Sequence, residues 1–172
     1  MFTMAHIAIL GLGNWGTAIA RMWLADGHHV KGWTIEQEVY ESITMNGVNE
    51  KYLPDHPVEA MEATMHIEEA LDGVEIVVLA VPSSVILDVV DQIIPHLRPG
   101  HVLLDLAKGL APGSQLISQA IHEKLNAAEK NNPLAVVTGP TIAPEAAGGV
   151  MTTALVASED VSVAQHLASF FF

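Results

Sequence analysis

The stretch Gly11-Leu-Gly-Asn-Trp-Gly16 carries the clearest chemical signal in the sequence. Residues without side chains leave main-chain N–H groups bare, and bare amides at the start of a helix bind phosphate. The elements that must position them are legible on either side. The apolar run His6-Ile-Ala-Ile-Leu10 reads as a buried strand. Between residues 14 and 26, Trp15, Ile19, Met22 and Trp23 recur at helical spacing. The glycines therefore fall at a strand-to-helix turn, the context that gives a G-x-G-x-x-G match physical meaning. Gly11 would allow the tight turn, Gly13 would let a pyrophosphate approach the backbone, and Gly16 would let helix and strand pack closely. A merely tight turn is the alternative, and three glycines at this spacing exceed what it needs.

Charge narrows what else could bind. The 172 residues carry seven Lys plus Arg against twenty Asp plus Glu, a net charge of −13. Such a surface repels nucleic acid and anionic lipid, so neither nucleic acid nor membrane is expected as a partner. A phosphate site must then be built from main-chain amides and a few placed cations. With no cysteine, disulfides and thiolate-bound zinc are excluded, and no metal site is expected. No apolar run approaches the roughly 20 residues that span a bilayer, and no basic region precedes the first apolar run. A cytoplasmic location is the expectation. Half the residues are hydrophobic, enough for a folded core, and residues 1–172 read as one nucleotide-binding domain.

Further along, Asp26-Gly27 closes the first helix. The pair His28-His29 reads as a solvated turn, because adjacent strand residues point to opposite faces and make a poor two-ligand metal site. Residues 28–33 form a second strand. Glu36 lies 20 positions after Gly16, the offset at which an acidic residue often meets the adenosine ribose. It reads equally as a first-turn acid of a helix over residues 35–46. No arginine is near to receive a 2′-phosphate, so NAD is expected, with NADP left open. Residues 47–63 read as one long irregular connection whose Tyr52 and Leu53 fold against something. The run Gly73 to Val81 is a central buried strand. Pro82 ends it, Ser83 can cap the next helix, and Val85, Ile86, Val89, Val90, Ile93 and Ile94 mark its apolar face. Residues 101–107 form a strand ending at Lys108-Gly109, and residues 114–125 a helix with Leu116, Ile117, Ala120 and Ile121 inward. Strands over 133–138 and 152–157 follow, then a helix opened by Ser158 and Asp160 with Val161, Ala164 and Leu167 aligned.

This alternation predicts an α/β fold of Rossmann type, doubly wound, with a mainly parallel sheet and helices on both faces. Ligands of such sheets bind beyond the carboxyl ends of the strands, where the strand order reverses. The sequence puts Gly11 to Gly16, Pro82-Ser83, Lys108-Gly109 and Gly139-Pro140-Thr141 at that edge. Lys108 follows a buried strand directly. A lysine there either marks the strand's exposed end or contacts a phosphate or carbonyl.

At these residues the chain resembles the NAD(P)-dependent glycerol-3-phosphate dehydrogenases. The matching segments are Gly11 to Ala18, Tyr52-Leu-Pro54, Ala80-Val-Pro-Ser83, Lys108-Gly109 and Gly139 to Glu145, in the family's order. The resemblance implies hydride transfer between NAD(P)H and dihydroxyacetone phosphate, giving sn-glycerol 3-phosphate. To the cofactor contacts read from the residues themselves, at Gly11, Gly13, Gly16, Glu36 and Pro82, it adds Asn14, Trp15, Tyr52, Lys108 and Ala143. It implies contacts to a small phosphorylated substrate at Lys108, Gly139 and Thr141, and a homodimer for the full-length protein. Two departures stand out. Thr34-Ile35 occupies a place where the family often has Arg or His, which leaves cofactor choice open. The family's helical domain, with its proton-transferring lysine, has no counterpart before Phe172. The expectation is therefore a fragment with no catalytic residue of its own, which binds cofactor without turnover. Such a fragment would expose an apolar patch at Phe170 to Phe172. A non-catalytic NAD-binding module and a related hydroxyacid dehydrogenase remain as alternatives.

Overall fold

Short β-branched runs alternate with amphipathic segments, and each becomes the element its periodicity favours. The computed structural model describes residues 4–139, 142–150 and 153–171. Strand β1 is His6–Leu10, and the glycine turn leads into helix α1, Asn14–Ala25. Strand β2 (His29–Trp33), helix α2 (Gln37–Asn46), strand β3 (Glu62–Thr64) and helix α3 (Ile67–Leu71) complete the first half. The second half opens with β4 (Ile76–Leu79), α4 (Ile86–Ile93) and β5 (Val102–Asp105). A ribbon of β6 (Leu110–Ala111) and β7 (Gln115–Leu116) precedes α5 (Ile117–Ala127). Strand β8 (Leu134–Thr138), helix α6 (Ala143–Ala147), strand β9 (Leu155–Ser158) and helix α7 (Val161–Ala168) follow.

Among the described residues seven strands form one sheet in the order β3-β2-β1-β4-β5-β8-β9. All pairings are parallel except β8 with β9. Alternation along each strand feeds two cores. Ile7 and Ile9 of β1, with Ile76 and Val78 of β4, pack against α1, α2 and α7. Ala8 and Leu10, with Val77 and Leu79, pack against α3, α4 and α5 on the other face. This is the doubly wound architecture expected. The strand order reverses between β1 and β4, so a cleft is expected at their carboxyl ends.

Several local expectations are corrected. The connection after α2 is not irregular throughout: Glu62–Thr64 pairs with Lys31–Trp33, and α3 follows where no helix was expected. His28 is buried rather than solvated, and its Nδ1 accepts the Ala5 amide at 3.2 Å; His29 is exposed and stacks on His6. Helix α4 starts at Ile86 with no side-chain cap, so Ser83 does not cap it, and Val85 is exposed. Leu116 is 53% exposed and precedes α5, which starts at Ile117 rather than at residue 114, and Val161 is exposed because Leu167 and Phe170 form the inner face instead. The expected exposed patch at the carboxyl end is corrected at Phe170. Phe170 is only 8% exposed, its carbonyl accepts the Trp23 indole N–H at 2.9 Å, and Phe171 packs edge-on against the same indole. Phe172 and Thr152 lie outside the described residues.

Candidate functional site

A cleft of about 1040 Å³ lies over the carboxyl ends of β1, β2, β4 and β5. One wall is the glycine turn. Gly11 has φ +105°, and a Cβ there would meet the Ala80 carbonyl oxygen at 2.8 Å. Its amide donates to the Trp33 carbonyl at 3.0 Å, which ties the turn to β2. Gly16 faces away from the cleft: a Cβ there would stand 1.9 Å from the Gly11 carbonyl oxygen, so helix and turn touch through bare backbone. Gly13 differs from both. Its φ is −76°, and a Cβ would meet no protein atom within 4 Å. Neither strain nor packing within the chain explains the missing side chain, and open space lies in front of it.

Helix α1 then presents its first turn to the cleft through Asn14 and Trp15. It has no side-chain cap and no acidic residue in that turn. In contrast α2, α3, α4 and α6 each carry Asp or Glu in the first turn. In so acidic a chain, the one helix start that lines the cleft with its glycine turn is left free for an outside anion.

The β2 end is held by a side-chain network. Thr34 Oγ1 accepts the Glu36 amide at 3.1 Å. The Glu36 carboxylate accepts Lys51 Nζ at 2.5 Å and the Tyr52 hydroxyl at 2.9 Å. The Lys51 hydrogen bond holds the Glu36 carboxyl below its ordinary range, with the Tyr52 hydroxyl adding to it, while the hydrogen bond to Glu36 pushes the Tyr52 phenol up. Lys51 also bridges to Glu38. Lys51, on the loop that carries Tyr52, sits one hydrogen bond from Glu36, which lines the cleft. What brings this loop here is Asn49, which sequence reasoning passed over. It is fully buried, its Nδ2 donates to the Leu12 carbonyl and to Thr17 Oγ1, both at 2.8 Å, and its Oδ1 accepts the Tyr52 amide at 3.2 Å. A lone asparagine between helix and loop gave no signal beyond its polarity.

The opposite wall comes from β4 and β5. Pro82, Ser83, Val85 and Lys108 line it, with Ala143 from the start of α6 closing one side. Asp105, also missed, ends β5 at 2% exposure, and its Oδ1 accepts the Ala107 amide at 2.8 Å. Burial pushes its carboxyl up to about 6, partly opposed by that amide. The turn it fixes delivers Lys108. Lys31, Lys51, Lys124, Lys130 and Arg98 each donate to a carboxylate or main-chain carbonyl, whereas Lys108, among the described residues, donates to neither.

Ten sequence-selected residues thus line or build the cleft: Gly11, Gly13, Asn14, Trp15, Glu36, Tyr52, Pro82, Lys108 and Ala143 line it, and Gly16 packs behind. Gly139 does not line it; a Cβ there would meet the Thr153 carbonyl oxygen at 2.4 Å, so its bare backbone serves contact with the segment before β9. Thr141 lies outside the described residues. Among those residues, no group of three or more His, Asp or Glu side chains is placed to hold a metal ion. No helix among them is long and apolar enough to cross a membrane.

Known proteins resemble this chain over nearly its whole length. A glycerol-3-phosphate dehydrogenase [NAD(P)+] of an Exiguobacterium species is 38% identical over 166 residues, covering 95% of this chain and 48% of the relative. One from Nocardia farcinica is 38% identical over 168 residues, covering 94% and 49%. The crystal structure of a glycerol-3-phosphate dehydrogenase from Coxiella burnetii superposes with a TM-score of 0.89 at 31% identity, covering 98% of this chain and 51% of that one. The chain spans about half the length of the curated relatives it matches. Residues 6–164 match the family model described as NAD-dependent glycerol-3-phosphate dehydrogenase N-terminus, and the chain belongs to that family.

Proposed function

We propose that this chain binds NAD(H) across the carboxyl edge of its sheet. We read it as the cofactor-binding part of an enzyme that moves hydride between NAD(P)H and dihydroxyacetone phosphate, giving sn-glycerol 3-phosphate. The observation that carries this reading is the open space before Gly13, at an uncapped helix start free of acidic side chains. There the amides of the first α1 turn would hold the pyrophosphate, with Asn14 and Trp15 beside it. The Glu36–Tyr52 end would meet the adenosine ribose, and Pro82 and Ala143 the nicotinamide side. Bound so, the dinucleotide supplies the hydride acceptor or donor. Lys108 would offer its ammonium to the phosphate or carbonyl of a small phosphorylated substrate. Gly139 and Thr141 belong to the same substrate region by family resemblance.

Carbonyl reduction needs a proton donor as well as a hydride. Lys108 is the one cation lining the cleft among the described residues, and the binding role proposed for it would already employ it. The 172-residue chain alone is therefore expected to hold NADH without oxidising it with dihydroxyacetone phosphate. In the full-length protein a homodimer is the expected assembly.

A titration with NADH tests the site directly. Trp15 and Trp33 both line the cleft, so their emission should be quenched on binding. Gly13→Val should keep the fold, since no protein atom stands within 4 Å, yet weaken NADH by at least about tenfold. Unchanged affinity in that variant, or no quenching in the unaltered chain, would sink the reading. Consumption of NADH by the chain alone would overturn the expectation of no turnover.

A further inference from the structure

The cleft's β2 end holds a cation that the glycine turn does not need. Lys51 lies on the loop pinned by Asn49, and its ammonium is shared between Glu36, at 2.5 Å, and Glu38. The Tyr52 hydroxyl takes the other Glu36 oxygen at 2.9 Å, and the Lys51 ammonium also stands 5.4 Å from the Tyr52 ring centroid. Glu36 and Tyr52 line the cleft beside Thr34 and Ile35, and neither arginine of the chain does.

We propose that Lys51 sets which dinucleotide this cleft takes, as a cation withheld from the 2′-position by Glu36 and Glu38. This rests on the cleft being a dinucleotide site. Two carboxylates and one ammonium leave this end net negative by one charge. A ribose 2′-hydroxyl is neutral and can donate to the Glu36 carboxylate that Lys51 and Tyr52 hold in place. A 2′-phosphate brings about two negative charges to the same spot. It would have to draw Lys51 off both carboxylates, leaving Glu36 and Glu38 facing the incoming anion. Lysine suits this role because its compact ammonium on a flexible stem can change partner, where a guanidinium fork would stay locked to a carboxylate. The chain as it stands therefore prefers NAD(H), and the cation needed for NADP(H) is already within reach.

Dissociation constants for NADH and NADPH, read by tryptophan quenching at low salt, test the assignment on four chains: unaltered, Lys51→Met, Glu36→Gln/Glu38→Gln, and the triple variant. All three positions are on the surface, and far-UV circular dichroism checks each fold. The unaltered chain should favour NADH by about tenfold, the scale of one close like-charge contact near a surface. The double Gln variant should move the NADPH-to-NADH ratio about tenfold or more toward NADPH. Adding Lys51→Met to it should remove that gain, and Lys51→Met alone should weaken NADPH more than NADH. Raised salt should shrink each difference. A double Gln variant that binds NADH but keeps the original ratio overturns the proposal, as does a triple variant that retains the gain. Failure of the unaltered chain to bind either nucleotide overturns the dinucleotide reading itself.

Discussion

The two ends of the cleft are built on opposite terms. At the β1–β2 end the chain supplies its own partners: Lys51 with Glu36 and Glu38, Tyr52 with Glu36, and Asn49 with the Leu12 carbonyl and Thr17. At the β4–β5 end Asp105 is buried with one main-chain amide as partner, and Lys108 contacts no carboxylate among the described residues. The first end is thus held by packing and internal hydrogen bonds, and it can discriminate by shape and charge. The second end carries a buried carboxylate held by one amide and an exposed ammonium with no described carboxylate partner. Titratable groups whose surroundings shift them, as burial shifts Asp105, concentrate at functional sites.

The sharpest way to break the first end is Gly16→Ala. The added methyl would stand 1.9 Å from the Gly11 carbonyl oxygen and 3.2 Å from the Ala80 side chain. The first neighbour is backbone in a turn already tied to Trp33, so it has nowhere to retreat. A loss of about 3 kcal/mol or more is expected, the upper range for overpacking. Urea unfolding would measure it. A loss below about 1 kcal/mol would mean that the turn is softer than its contacts imply.

Asp105→Asn should act in the opposite direction. Asparagine can still accept the Ala107 amide but carries no charge to bury. The carboxyl titrates at about 6 in the folded chain against 3.8 when exposed. Because the folded state holds its proton more tightly, the contribution is fully present below pH 3.8 and is lost as pH rises through about 6. At pH 7 the variant should therefore exceed the unaltered chain by up to about 3 kcal/mol, with no advantage near pH 3.5. Urea unfolding at several pH values reads the difference. A pH-independent offset would show that Asp105 is not charged at neutral pH, or that solvent reaches it.

What could be read from the sequence divides along a related line. The glycine turn, the buried β4 run and the helix α1 pattern are local: each is specified by residues within about one turn or strand of itself. Asn49 is different. Its burial is set by a carbonyl 37 residues earlier, so composition alone leaves it a loop residue. Lys51 likewise reads as a solvated charge until the loop is folded onto Glu36. Strand β3 is three residues, Glu-Ala-Thr, and owes its form to pairing with β2 rather than to its own propensity. The tail misled for the same reason. Three aromatics at a chain end look like a docking patch, and only the fold-back of α7 onto Trp23 shows that Phe170 already has a partner.

Lys108→Met gives the smallest expected effect on the fold and most sharpens the contrast. The side chain is exposed and donates to no described carboxylate, so removal of its charge should leave stability within about 0.5 kcal/mol. The same change removes the one cation lining the cleft among the described residues. Binding of dihydroxyacetone phosphate to the NADH-loaded chain should therefore weaken while the melting curve stays in place. At the β1–β2 end every charge has a partner within the chain, so removing one also changes a contact. A melting temperature lowered by several degrees in Lys108→Met would erase that distinction, since it would make Lys108 a cation on which the fold relies. An unchanged melt with unchanged phosphate binding would instead leave the lysine as the exposed end of a strand.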